Sequence, residues 1–168
     1  DENDMWKDTM LIVNTDHGQL HGEHRWWGKN VMPFYEEIIH IPFFLWSPES
    51  NKKNVHCDVL AQTIDIPATL KDYFKMSGME MMQGKSLLLA IENNVKIRDF
   101  ALFGIFGAQV GITDGDYVYL RSNATDKNQP LFEYTLMFTD QRSFKPLKQL
   151  STMELYDGFR FTKGIPVA

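Results

Sequence analysis

Asp16 and His17 could bind a metal ion, and Lys29, thirteen positions after Asp16, could bind an anion beside it. Carboxylate oxygens suit hard cations such as calcium and magnesium, whereas an imidazole nitrogen leaves manganese or zinc open as well. The ammonium group of a lysine is a compact charge with three donors, and it can bind a tetrahedral anion from one side. The three residues therefore predict a site in which a cation and an anion are bound together.

Three further side chains of the same loop extend this candidate site. His21, His24 and Arg25 are expected at the mouth of the pocket, where they would bind an acidic glycan or protonate a leaving group. Stabilisation of the loop is the other interpretation for each of them. The two tryptophans that follow would stack on a sugar or aryl group, or pack against the core. A long loop in a compact domain is usually functional, which favours chemistry over a simple turn with an exposed imidazole.

The element that must deliver Asp16 and His17 is the apolar run before them. Its unbroken hydrophobicity between polar turn residues predicts a buried strand of a parallel sheet over residues 10–15. Open α/β sheets carry their chemistry beyond the carboxyl ends of their strands. We expect Gly18 to permit the turn that lets both side chains reach one centre.

Hydrophobic spacing along the rest of the chain predicts alternating helices and strands, followed by a small antiparallel sheet. The predicted elements are a helical turn over 32–37, a buried strand over 41–46, helices over 60–76 and 86–91, and strands over 101–106, 108–113, 117–121 and 132–137. Asp114-Gly115-Asp116 is the clearest hairpin signal. We therefore expect part of an α/β sheet domain over residues 1–95 and a small antiparallel subdomain with a helix over residues 96–168.

Composition restricts the possible functions. With 43% hydrophobic residues in 168 positions the chain can bury a core. A net charge of −5 provides neither the basic surface of a nucleic-acid-binding protein nor a polybasic membrane patch. No apolar run is long enough to predict a membrane span. Cys57 is the only cysteine, which excludes an internal disulfide and a zinc site built from cysteines.

The motifs around the candidate site resemble those of the sulfatases, within the alkaline phosphatase superfamily. They are Thr15-Asp16-His17-Gly18, Gly22-Glu23-His24, Gly28-Lys29-Asn30, Tyr35-Glu36-Glu37 and Ile41-Pro42. The interval from Asp16 to Lys29 is similar to that between the metal-binding aspartate and the sulfate-binding lysine of many sulfatases. Weaker resemblances lie at 65–70, 83–87, 113–120 and 154–157. His40 departs from the pattern, because the family commonly has an arginine there, and the buried salt bridge of such an arginine to Glu36 or Glu37 is therefore in doubt.

The resemblance implies a sulfuric ester hydrolase with an alkaline-phosphatase-like α/β domain, and it favours calcium at Asp16 and His17. It favours a catalytic, sulfate-binding role for Lys29; we expect His24 as a second catalytic residue, and His21 and Arg25 as further contacts to a sulfated glycan or aryl sulfate. The family's nucleophile is a formylglycine made from the first residue of a Cys/Ser-x-Pro-x-Arg motif, and no such motif occurs in this sequence. We therefore expect the carboxyl-proximal part of a longer, periplasmic or secreted sulfatase, inactive without the missing amino-terminal half of its domain.

Two other functions stay open at this point. A phosphodiesterase or phosphonate monoesterase of the same superfamily shares the Asp-His-Gly triplet, and only Lys29 favours sulfate over phosphate. The third possibility is a non-catalytic interaction module. Strand 10–15, if buried on both faces, would expose apolar surface and an unpaired edge without its sheet neighbours, so we also expect self-association or a rearranged sheet edge.

Overall fold

The computed structural model describes residues 2–29, 33–125, 127–137, 139 and 144–168. By its backbone contacts the chain divides into two compact units, Asp1–Ala124 and Thr125–Ala168. The predicted α/β class with small antiparallel sheets is confirmed. The division expected between residues 95 and 96 stays a prediction.

The first unit alternates short strands and helices before it ends in an antiparallel meander. Its elements are β1 Leu11–Asn14, β2 Leu20–His21, β3 Trp27–Gly28, α1 Glu36–Ile39, β4 Phe43–Trp46, α2 Asp65–Tyr73, α3 Leu88–Asn93, β5 Ala101–Gly104, β6 Val110–Thr113 and β7 Val118–Arg121. The helical turn expected over 32–37 is α1, which begins at Glu36; Met32 and Asn30 lie outside the described residues.

The predicted parallel pairing of the first strand is wrong. β1 pairs antiparallel with β4, in a register that places Val13 opposite Phe44. Leu11, Val13 and Phe44 share one face of this strand pair and are exposed to solvent, Phe44 with 67% of its surface accessible. An apolar run predicts a strand but carries no information about the direction of its neighbour, which is why the pairing could not be derived.

The long helix begins later than expected, at Asp65 rather than near residue 60. Pro67 explains the difference, because its ring would clash with the carbonyl of a helical residue four positions earlier. Pro67 is tolerated in the first turn, where the amide hydrogen it lacks has no partner within the helix.

The three-stranded meander β5-β6-β7 agrees with the predicted antiparallel sheet. Its second hairpin turns at Asp114-Gly115-Asp116, as the sequence indicated. The Asp114 carboxylate accepts hydrogen bonds from the amides of Asp116 and Tyr117, at 3.0 and 2.8 Å. Gly115 adopts a φ of +104°, a conformation that favours glycine.

The second unit contains α4, Leu147–Leu150, and a 3-10 turn, Arg160–Thr162. The strand predicted over 132–137 is wrong: Thr135 exchanges two backbone hydrogen bonds with Ala168, but the described residues of this segment form no strand. The ring of Tyr134 instead packs edge-on against Tyr156 and Phe159. The alternating aromatic residues that predicted the strand therefore build a small aromatic cluster.

Candidate functional site

Asp16 follows β1 directly and presents its carboxylate to solvent, with 83% of the side chain exposed. One oxygen accepts hydrogen bonds from the His17 amide, at 3.1 Å, and from the Thr15 hydroxyl, at 3.3 Å. Partial desolvation alone would raise the pKa of Asp16, but backbone hydrogen bonds, attraction to His17 and the Thr15 bond outweigh it and lower that pKa. The carboxylate is therefore ionised at neutral pH and able to attract a cation.

The His17 ring is oriented by the backbone and by Asp16. Its Nδ1 lies 2.8 Å from the carbonyl oxygen of Gly18, and its Nε2 lies 3.4 Å from the second carboxylate oxygen of Asp16. Because a carbonyl can only accept, Nδ1 carries the proton and donates it to Gly18. Nε2 then keeps its lone pair, which is the usual arrangement of a histidine that binds a metal.

Lys29 completes the cluster, since its Nζ lies 2.6 Å from Nε2 of His17 and donates to that lone pair. The two-stranded hairpin of β2 and β3 brings the lysine back, with Leu20 opposite Gly28. Leu20 is fully buried and packs with Ile38, so the base of the hairpin is anchored in the core. The structure thus brings together the three residues that the sequence singled out.

Gly18 has a different role from the expected one. Its φ lies outside the left-handed region, so conformational freedom is not the requirement. A Cβ at this position would instead lie 1.7 Å from the carbonyl oxygen of Glu37. The Gly18 amide also donates to the carbonyl of Ile38 at 2.9 Å. Close approach to α1 therefore explains the glycine.

The other predicted site residues have different neighbours. The Nε2 atom of His24 lies 3.1 and 3.2 Å from the two carboxylate oxygens of Glu37, and its ring stacks on Tyr35 with the centroids 3.7 Å apart. His21 meets Trp27 edge to face, and the Arg25 side chain is exposed. These contacts are made with residues other than Asp16, His17 and Lys29. The catalytic and substrate-binding roles of His21, His24 and Arg25 therefore stay predictions.

His40, the departure from the sulfatase pattern, pairs with Glu36 at the surface. Its Nδ1 lies 3.1 Å from a Glu36 carboxylate oxygen, and both side chains are exposed. The contact of His40 with Glu36 therefore lies at the surface, and among the described residues the structure shows no buried ion pair at this position. Such contacts contribute little to stability.

The residues present fit one part of a metal site. Neighbouring ligands of an ion bound at about 2.3–2.6 Å lie roughly 3–4 Å apart, and Nε2 of His17 lies 3.4 Å from an Asp16 oxygen. Asp16 and His17 are therefore spaced as two neighbouring ligands of one ion would be. In the part of the chain that the structure describes, no group of three or more His, Cys, Asp or Glu could hold a metal.

Sequence reasoning missed two contacts that organise this unit. Arg98 forms a buried ion pair with Asp65, and nothing in the local sequence marked it. The bond from Glu37 to His24 was also missed. The co-occurrence of the Gly-Glu-His and Tyr-Glu-Glu motifs is the only signal that pointed to it.

Asp16, His17 and Lys29 thus lie close together in a chain that mixes short helices with small antiparallel sheets. The family model for the carboxyl-terminal part of N-sulphoglucosamine sulphohydrolase matches residues 22–107. The chain belongs to this family of sulfatases. The resemblance deduced from the motifs is thereby confirmed.

Curated relatives and a solved structure agree with this assignment. The chain is 32% identical over 96 residues to an arylsulfatase of Clostridium perfringens, covering 55% of this chain and 20% of that protein. It is 30% identical over 90 residues to arylsulfatase K of Mus musculus, covering 54% and 16%. The chain therefore spans about a fifth of the length of the curated relatives it matches.

A solved structure of a protein in complex with its substrate, D-glucosamine-2-N,6-O-disulfate, matches with a TM-score of 0.63 and 21% identity. The match covers 75% of this chain and 28% of the other, and it supports the fold. Among the described residues, no helix has the length and hydropathy needed to cross a bilayer.

Proposed function

We propose that this chain supplies the metal-binding and sulfate-binding part of a metal-dependent sulfatase. The main support is that Asp16, His17 and Lys29 meet at one point in a chain of a sulfatase family. A sulfate ester is a stable tetrahedral anion, and its hydrolysis develops negative charge on several oxygens. A divalent cation and a fixed ammonium group are suited to neutralise that charge.

Calcium is the proposed metal, held in part by an Asp16 oxygen and by Nε2 of His17. When bound, it would polarise the ester oxygens as a Lewis acid. The hydrogen bond from Nδ1 to Gly18 fixes the ring so that Nε2 faces Asp16. Calcium takes about six to eight ligands, mostly oxygens, so water and oxygens of other residues would supply the rest. Manganese and zinc are the alternatives that the imidazole allows.

Lys29 is the proposed catalytic residue of this chain. In the present arrangement its ammonium group uses the lone pair of His17 that a metal would take. On binding of the metal and the ester it would leave that lone pair and donate to a sulfate oxygen instead. His21 and Arg25, on the exposed side of the loop, are the proposed contacts to the rest of the substrate.

The nucleophile is proposed to lie elsewhere in a longer protein, as a formylglycine, and this chain alone is proposed to be inactive. The modest share of the curated relatives that the chain spans supports this view. The uncovered apolar face of β1 and β4, with Val13 and Phe44 exposed, supports a further part of the domain packing there. A periplasmic or secreted location is proposed by analogy with the family.

Aryl sulfates and sulfated sugars are the proposed substrates. The names of the arylsulfatase relatives and the sulfated glucosamine bound in the similar structure support this class. Both groups present a sulfate ester or sulfamate on a ring. The exposed Trp26 and Trp27 offer aromatic surface close to Lys29 in the chain for such a ring.

Hydrolysis of 4-nitrophenyl sulfate by the longer protein tests the function. Lys29→Ala is expected to lower kcat/KM by about 100- to 1,000-fold, the usual cost of losing one oxyanion donor. Lys52→Ala, on an exposed loop, is the matched control and is expected to leave kcat/KM unchanged. Equal activity of both variants would contradict the role of Lys29.

Two further measurements separate the alternatives. A higher kcat/KM on bis(4-nitrophenyl) phosphate than on the aryl sulfate would favour a phosphodiesterase. Turnover of the aryl sulfate by the isolated 168-residue chain would contradict its proposed inactivity.

A further inference from the structure

We propose that Glu37 is a positioning residue that holds Lys29 in the candidate site by binding His24. The inference rests on the proposed function, because it concerns the relative position of two halves of that site. One half contains Asp16 and His17, and the other contains Lys29. Each half is attached to the same helical turn, Tyr35–Ile38. The attachments are different in kind: one is made by the backbone, and the other is made by side chains.

The half that contains Asp16 and His17 is attached through the backbone. The amide of Gly18, next to His17, donates to the Ile38 carbonyl at 2.9 Å. The Glu37 carbonyl lies so close to Gly18 that a Cβ would be only 1.7 Å from its oxygen. This half therefore needs no side chain of α1 to stay in place.

The half that contains Lys29 is attached at its base by the buried contact of Leu20 with Ile38. Beyond Leu20 the loop extends to the surface, where the His24 ring is held on two sides. The Glu37 carboxylate lies 3.1 Å from its Nε2, and Tyr35 stacks on its face with an interplanar angle of 5°. His24 thus connects the outer part of the loop to α1.

The backbone of this loop requires such a restraint. His24 and Arg25 have φ values of 54° and 63°, in the left-handed region that residues with a Cβ disfavour. The loop closes through a hydrogen bond from the Gly22 amide to the Trp26 carbonyl at 3.0 Å. β3 and Lys29 follow immediately. Loss of the contacts of His24 would let the loop relax and would move Lys29 away from His17.

The same helix provides a matched control. Glu36, the neighbour of Glu37, binds His40 at the same distance, 3.1 Å, and both of these side chains are exposed. His40 follows α1 and leads into β4, whereas His24 precedes Lys29. The two pairs have the same chemistry, but only the pair of Glu37 and His24 is connected to the loop of the site.

Nuclear Overhauser effects in the isotope-labelled longer protein, freed of metal with a chelator, test the proposal. Cross-peaks between the side-chain protons of Lys29 and the ring of His17 report the contact directly, without any catalysis. Glu37→Ala is expected to abolish them, whereas Glu36→Ala is expected to keep them. Cross-peaks between Leu20 and Ile38 show in each variant that the core is intact.

Two additional variants make every outcome decisive. His24→Asn removes the ring but tolerates the left-handed conformation, and it is expected to abolish the cross-peaks of Lys29 with His17 even if Glu37→Ala fails to fold. Glu37→Gln keeps a hydrogen-bond acceptor and is expected to restore them in part. Persistence of the cross-peaks in either Glu37→Ala or His24→Asn overturns the proposal.

Kinetics of the longer protein separate positioning from a merely structural role. Glu37→Ala is expected to lower kcat/KM by about 10- to 100-fold, as displacement of a catalytic group does. In a Lys29→Ala background it is expected to cause no further loss, because its effect passes through Lys29. Additive losses would overturn the proposal. Absence of turnover in the wild type would refute the sulfatase function, while the cross-peaks would still decide the role of Glu37.

Discussion

Two clusters of the first unit combine an aspartate with a cationic side chain, and they differ in their access to water. Asp65 has no exposed side-chain surface and its partner Arg98 has 8%, whereas the Asp16 side chain is 83% exposed. Arg98 binds both oxygens of Asp65, and the amides of Lys85 and Gln62 each donate to it at 2.8 Å. These four hydrogen bonds satisfy both oxygens of the Asp65 carboxylate.

Asp16 is the opposite case. Its hydrogen bonds come from adjacent residues, and its second oxygen faces Nε2 of His17 at 3.4 Å, with solvent beside it. A carboxylate with this exposure can exchange water for a metal ion, whereas a buried and fully bonded one cannot. Residue type alone therefore does not separate a structural ion pair from a candidate site; burial and the number of hydrogen bonds to the carboxylate do.

The largest expected effect is on the buried pair. Arg98→Met leaves the Asp65 charge buried without its partner and is expected to lower the free energy of unfolding by about 3–5 kcal/mol. Lys29→Met, the matched change in the exposed cluster, is expected to alter it by less than about 0.5 kcal/mol. Chemical denaturation of both variants measures the difference. Similar losses of unfolding free energy in both variants would contradict the proposed difference between the buried and the exposed cluster.

A smaller effect concerns pH. Burial alone would raise the pKa of Asp65, but the bonds from Arg98, Lys85 and Gln62 outweigh it and hold that pKa below its ordinary value of 3.8. Since the folded pKa is depressed, the contribution of Asp65 to stability is complete above 3.8 and is lost as the pH falls through the folded value. In Arg98→Met the charged partner is gone, so burial raises the pKa of Asp65 and the carboxyl group takes up a proton as the pH falls. We therefore expect the destabilisation caused by Arg98→Met to become smaller between about pH 7 and about pH 4.

The corresponding change in the exposed cluster provides the control. Asp16→Asn is expected to leave the decrease of stability at acidic pH almost unchanged, because water already solvates that carboxylate. Stability curves from denaturation at several pH values measure both effects. A destabilisation by Arg98→Met that is constant across the range would contradict the account.

Local patterns predicted the residues of the site but could not predict their supports. The strand over 10–15 and the interval from Asp16 to Lys29 led to the cluster that the structure contains, because both are encoded within thirty residues. Arg98 lies 33 positions from Asp65 and pairs with it only in the folded chain. Long-range contacts of this kind leave no periodicity in a single sequence.

The errors have the same origin. Whether β1 is parallel or antiparallel to its neighbour depends on the path of the chain between them, and the hydrophobic run is the same in both cases. The role of Gly18 depends on the position of Glu37, nineteen residues later. By contrast, the turn at Asp114-Gly115-Asp116 is specified by adjacent residues and was predicted correctly.

Asp16, His17 and Lys29 are proposed to form part of one metal and sulfate site. A crystal structure of the longer protein with calcium and sulfate tests this proposal most directly. We expect calcium within about 2.3–2.6 Å of an Asp16 oxygen, Nε2 of His17 facing the ion, and the Lys29 ammonium moved from His17 to a sulfate oxygen. Calcium bound by other residues, with Lys29 still on Nε2 of His17, would contradict the proposal.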